Sequence, residues 1–145
     1  MRNPIGRSSL SASADLVCVP PHLVPQIWPL VADRLRAAYL RTDLGHTIDL
    51  ERDVFEGGAV LWLASDGITI DAAATTKLVR TDRHLVCILV ALGGEKRARW
   101  LDLLARIEVW ARAEGAALVR IYGRKGWARV LKHYHVSNVV LERRL

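Results

Sequence analysis

The longest uninterrupted apolar run in the chain is residues 85–92, Leu-Val-Cys-Ile-Leu-Val-Ala-Leu. It shows neither the alternation of a half-exposed strand nor the length of a helix, and so predicts a central strand covered on both faces. Before it, the pattern reads as an antiparallel meander. Residues 59–64 form one strand, Ser65-Asp66-Gly67 a turn, residues 68–79 a longer strand, Thr81-Asp82-Arg83 a turn, and residues 84–92 the third strand. After it comes a Gly-Gly step, Gly93-Gly94, then an amphipathic helix over residues 96–114. Its apolar stripe is Trp100, Leu103, Leu104, Ile107, Trp110 and Ala111, and Gly115 stops it. Residues 117–122 make a strand that follows a helical connection, hence a parallel neighbour of another strand. A short helix over 126–133 and a terminal strand over 136–145 complete this half.

The first half is less regular. Residues 1–14, rich in Ser, predict a flexible tail. Residues 15–19 suggest a short strand closed by Pro20-Pro21. Ile27, Leu30, Val31, Leu35, Ala38 and Tyr39 recur at helical spacing as far as Arg41, in a helix that starts near Pro25 or is kinked at Pro29. Gly45 interrupts the chain. Thr47 is placed to cap a second helix with Asp49 and Glu51 in its first turn, and Gly57-Gly58 ends it. Together these elements predict one α+β domain over 15–145, with a central mixed, mostly antiparallel sheet of about six strands flanked by about four helices.

Composition narrows the class. Of the 145 residues, 51% are hydrophobic and 25% charged, the balance of a globular domain. No apolar run reaches the roughly 20 residues that span a bilayer, and the start lacks the apolar centre of a signal peptide, so a cytoplasmic protein is expected. Cys18 and Cys87 lie in apolar runs and read as buried thiols. His22, His46, His84, His133 and His135 show no metal-ligand spacing. The net charge of +6 is uneven: residues 91–145 hold twelve Lys and Arg against five Asp and Glu. The basic half is therefore the one that carries the Gly-Gly step, and it either attracts an anionic partner or is simply a solvated surface. A strand that passes through glycines into a helix presents backbone N–H groups to an anion; the same pair also makes an ordinary turn. The five tryptophans fit a core, or one of them an interface.

The element order, with Ile88-Leu89-Val90-Ala91-Leu92-Gly93-Gly94, the helix end Trp110-Ala111-Arg112-Ala113-Glu114-Gly115 and Gly123-Arg124-Lys125-Gly126-Trp127, resembles the acyl-CoA N-acyltransferase fold of the GNAT superfamily. With Leu61-Trp62-Leu63, it looks more narrowly like the GNAT-like proteins of phage and prophage genomes. The resemblance implies acetyl-CoA or CoA as cofactor. Leu92, Gly93 and Gly94 would lie against it, and Lys96, Arg97 and Arg99 would add charge to a helix start that otherwise disfavours cations. It implies an amine acceptor entering between the first helices and the sheet. A carboxylate in place of Gly94 is then expected to abolish binding and spare the fold. The loop carries Glu95 and lacks the superfamily's Gln or Arg, and Leu131 stands where many members have a tyrosine acid. Tyr134 and His133, just beyond it, are the catalytic candidates. Glu108 reads as solvated. Two functions follow: an acyl-CoA-dependent N-acyltransferase, or a GNAT-fold accessory module whose basic half contacts an acidic protein or nucleic acid, with a homodimer open to either.

Overall fold

The structure, a computed structural model, describes residues 14–41 and 49–145. The strands are β1 (Asp15–Cys18), β2 (Val60–Ser65), β3 (Ile70–Arg80), β4 (Leu85–Gly94) and β5 (Leu118–Ile121). The helices are α1 (Val24–Leu40), α2 (Leu50–Phe55), α3 (Arg97–Trp100), α4 (Leu104–Ala113) and α5 (Gly126–Val130). The sheet has the order β1-β2-β3-β4-β5. Every pairing is antiparallel except β4 with β5, which is parallel. The expected sixth strand is absent from the described residues: the segment 136–145 carries no strand pairing and is exposed throughout. The expected tail, except Ala14, and Gly45, His46 and Thr47 lie outside the described residues.

The sheet is covered on both faces, as the apolar run of β4 requires. On one face α1 buries Val24, Trp28, Val31 and Leu35 against Leu61, Leu63, Ala73 and Ala91. On the other, Leu104 and Ile107 of α4 meet Trp62, Ala74 and Leu89, with Leu131 beneath them. Trp62 anchors this second layer. Its indole N–H donates to Thr76 Oγ1 at 2.9 Å, and its ring meets the edge of Trp110 with centroids 5.1 Å apart. The helix α1 starts at Val24 and runs through Pro29. Its Trp28 indole donates to Glu51 on α2, and Arg36 binds the same carboxylate, which joins the two helices. The cap of α2 is Asp49, whose side chain accepts from the Arg52 N–H.

Cys87 is fully buried, while Cys18, on the edge strand, is exposed, contrary to the expectation from its apolar surroundings. Burial pushes the Cys87 thiol up to about 11 from an ordinary 9.0, with a side-chain hydrogen bond to Thr76 opposing the shift. Because the raised value favours the protonated form in the fold, this contribution is intact below pH 9.0 and is lost as pH rises to about 11. Chemical unfolding across that window should lose about 2–3 kcal/mol through this group, and Cys87→Ala should flatten the decline. An equally steep decline in the variant would assign it to other groups.

Candidate functional site

The two parallel strands part within the sheet. β4 and β5 are in register from Val86 with Leu118 to Leu89 with Ile121. Beyond that point β4 stays paired to β3 as far as Gly94, whereas the chain after Ile121 turns away towards α5. The parting coincides with an irregularity. Thr76 faces Leu89 and Thr75 faces Ala91, so Val90 is an extra residue in β4. Val90 and Ala91 consequently pack on the same face, against the α1 layer, while Leu89 and Leu92 both lie on the other. The backbone of residues 90–93 thus presents an edge with no strand beside it among the described residues. An extended ligand bearing amides fits such an edge as an added strand would.

Gly93 and Gly94 belong to β4 itself, paired with Ala73 and Ala72, and do not form a step beyond the strand. Each glycine is required by the protein's own packing. A Cβ on Gly93 would stand 2.7 Å from the Arg34 carbonyl oxygen, where α1 crosses the strand, and one on Gly94 would stand 2.6 Å from the Asp71 carbonyl oxygen and overlap Ala72. Gly94→Glu is therefore expected to disturb the fold itself, and not only ligand binding.

The turn that follows is built from backbone and ion pairs. The Glu95 N–H donates to the Asp71 carbonyl, and the Glu95 carbonyl accepts from the Trp100 indole at 2.7 Å. Lys96 takes a left-handed conformation, φ 55°. Arg99 pairs with the buried carboxylate of Asp71 at 3.0 Å and with Asp66 at 3.4 Å. Asp66 is held down to about 2, chiefly by the N–H groups of Thr69 and Ile68, with Arg99 adding to them. These ties pull the helix start onto the β2–β3 turn. The predicted single helix over 96–114 is accordingly broken into α3, a 3-10 turn (Leu101–Leu103) and α4. Leu92 lies on the face of the sheet that α4 covers, Gly93 faces α1, and Lys96 and Arg97 are exposed.

Because β4 and β5 are parallel, the loops that follow them leave from the same end of the sheet. The first carries Lys96 and Arg97. The second carries Arg124 and Lys125, both exposed, whose one signal in the sequence is Gly-Arg-Lys-Gly. Trp127 folds back over Gly123, whose Cβ would stand 2.7 Å from the indole ring. The fork between the strands is thus flanked by cations on both arms, with Leu92 and Trp127 packed on the same side of the sheet.

Leu131 is a core residue, 8% exposed. Tyr134 packs over the same cluster, and its hydroxyl donates to Glu108 at 2.7 Å. Burial pushes the Tyr134 phenol up, and the Glu108 carboxylate adds to this. Glu108 is therefore a partner of Tyr134 and not the solvated residue expected. His133 is exposed. Among the described residues, no three His, Cys, Asp or Glu are grouped to hold a metal, and no helix is long and apolar enough to cross a membrane.

No family model and no curated protein sequence matches the chain. Solved structures do. An aminoglycoside acetyltransferase, HMB0005, from an uncultured soil metagenomic sample shares 17% identity over 92% of this chain and 97% of its own, with a TM-score of 0.65. The aminoglycoside N-acetyltransferase AAC(6')-Iy, in complex with the bisubstrate analogue CoA-S-monomethyl-acetylneamine, shares 14% identity over 92% and 99%, with a TM-score of 0.64. A predicted acetyltransferase from Clostridium acetobutylicum, solved with acetyl-CoA, shares 13% over 91% and 95%, with a TM-score of 0.61. These likenesses cover nearly the whole of both chains, and what they establish at such identities is architecture: this chain has the fold of the GNAT acetyltransferases.

Proposed function

We propose that the protein is an acyl-CoA-dependent N-acyltransferase, with acetyl-CoA as donor and an amine as acceptor. The observation that carries the reading is the parting of β4 from β5 at the Val90 bulge, in a fold shared with acetyltransferases. Acetyl-CoA supplies an activated acyl thioester. The open edge of residues 90–93 would pair with the amides of its pantetheine arm, and a backbone N–H of that edge would polarise the thioester carbonyl. Lys96 and Arg97 on one arm of the fork, and Arg124 and Lys125 on the other, attract the phosphates. Arg99 serves the turn, since its guanidinium is already held by Asp71 and Asp66. The acceptor would enter from the side of α1 and α2.

Tyr134 and His133 are the side chains near the end of α5 that handle protons. With its hydroxyl directed at Glu108 and its acidity reduced by burial, Tyr134 is a weak donor to a leaving thiolate. Direct attack by a positioned amine needs little more from side chains than orientation, and this fits the fork.

Calorimetry with acetyl-CoA and with CoA tests the reading. Saturable binding is expected, and the double variant Lys96→Glu, Arg97→Glu should weaken it by about tenfold or more. Absence of binding at millimolar ligand would leave the other reading, a phage-type GNAT-fold accessory module whose basic half meets an acidic partner. For a nucleic-acid partner, affinity should then fall steeply with salt.

A further inference from the structure

On the face of the sheet that α1 and α2 cover, β5 carries a cation without a counter-ion. Along β3, Thr76 points to the α4 layer, where its hydroxyl accepts from the Trp62 indole, so Lys77 points to the opposite face. Strand pairing carries that face across the sheet: Lys77 stands beside Ile88, and Ile88 beside Arg120 of β5. The next residue, Ile121, packs in the α4 layer, which agrees with this direction for Arg120. Lys77 is neutralised by Asp53 of α2 at 3.1 Å. Arg120 is partly buried, and no hydrogen bond or ion pair from the described residues reaches its guanidinium. A guanidinium drawn partly out of water without a partner is unfavourable, and a carboxylate restores the balance through two parallel N–H bonds.

We propose, on the acyltransferase reading above, that the acceptor is an amino acid, an amine with a carboxylate close to its nitrogen, and that Arg120 binds this carboxylate. Arg120 pairs with Ile88, two residues before Val90, so it stands about 7 Å along the strands from the parting of β4 and β5. With the carboxylate on Arg120, the amino nitrogen reaches the thioester held at residues 90–93. Its lone pair attacks the carbonyl carbon and the C–S bond breaks. The sulfur leaves with the electron pair and takes up the proton that the nitrogen loses, giving an N-acetyl amino acid and CoA. The donor's phosphates do not account for Arg120. Lys96, Arg97, Arg124 and Lys125 lie in the loops that follow the strands, whereas Arg120 lies within β5, on the other side of the parting. A polycationic acceptor fits less well, because the carboxylates of the α2 segment are engaged: Asp49 as its cap, Glu51 by Trp28 and Arg36, Asp53 by Lys77 and Glu56 by Arg52. Aminoglycosides, named for two of the structural neighbours, are polyamines without a carboxylate, and Arg120 meets them as a like charge.

The test follows CoA release from acetyl-CoA by the full chain, with the common amino acids, their α-carboxamides and the aminoglycoside sisomicin as acceptors. At least one free acid should be acetylated, with kcat/KM about tenfold or more above its carboxamide and above sisomicin. Arg120→Met keeps the apolar stem and removes the charge. It should retain the melting temperature and the affinity for acetyl-CoA, raise KM for the acid about tenfold or more, and bring acid and carboxamide to the same kcat/KM. Arg120→Lys should restore part of the difference, since it returns the charge without the two-pronged geometry. Three results would overturn the proposal and leave the acyltransferase reading in place: acetyl-CoA that binds without transfer to any free acid, a wild type that uses carboxamides or sisomicin as well as acids, or an Arg120→Met variant that still tells acid from carboxamide. Absence of acetyl-CoA binding in calorimetry would remove both.

Discussion

Trp62→Ala is expected to lower the free energy of unfolding by about 3–5 kcal/mol, the range for removing a large buried aromatic. Trp62 is 5% exposed and fills the centre of the layer between the sheet and α4. Its loss opens a cavity among Ala74, Leu89, Leu104 and Ile107, residues fixed by a strand or helix backbone and slow to close in. It also leaves the buried Thr76 hydroxyl without the indole N–H and removes the edge contact with Trp110. Trp62→Phe retains most of the volume and should cost less, with the missing hydrogen bond as the chief difference. Denaturant midpoints of the two variants, taken with unchanged slopes, measure this. A loss below about 1 kcal/mol for the alanine variant would mean that the layer repacks freely.

The second large effect concerns Gly94. Gly94→Glu is expected to destabilise the protein by about 3 kcal/mol or more, the upper end for overpacking, before any ligand is considered. The new Cβ would press on the Asp71 carbonyl oxygen, and that same oxygen accepts from the Glu95 N–H. The added carboxylate would also bring negative charge beside the buried Asp71, whose partner Arg99 holds the helix start. Thermal melting should show the loss in the absence of CoA. Gly126→Ala is the control, because a Cβ there meets nothing within 4 Å; its melting temperature should stay the same or rise slightly. Similar behaviour of the two variants would show that β3 and β4 tolerate separation at this point.

The Gly93-Gly94 pair marks the boundary of what the sequence carried. A Gly-Gly pair after an apolar strand announces a close approach, but not by what. Here the approaching groups are Arg34 of α1 and Ala72 of β3, which lie far from the pair in sequence. The helix stripe from Trp100 to Ala111 was legible for a similar reason. Side-chain spacing survives a local break in the backbone, so the pattern marked the buried face. It could not show the break at Leu101–Leu103, where Arg99 is drawn to Asp71 and the Trp100 indole reaches back to Glu95. Glu108 was misread because its partner, Tyr134, comes from a later element. Cys18 was misread because an apolar neighbourhood in sequence does not reveal which strand lies at the edge of a sheet.

By itself the sequence determined the class of fold, the meander of β2, β3 and β4, the burial of β4 on both faces and the concentration of positive charge in the second half. These follow from local periodicity and composition, which each segment carries without its neighbours. Only the tertiary structure decided where β4 parts from β5, that Val90 is the extra residue there, that Arg99 is engaged while Lys96, Arg97, Arg124 and Lys125 face solvent, and that residues 136–145 leave the β5 edge bare. Each of these depends on which distant backbone or carboxylate arrives at a given place, and that is set by packing and strand register, not by the residues in their own order.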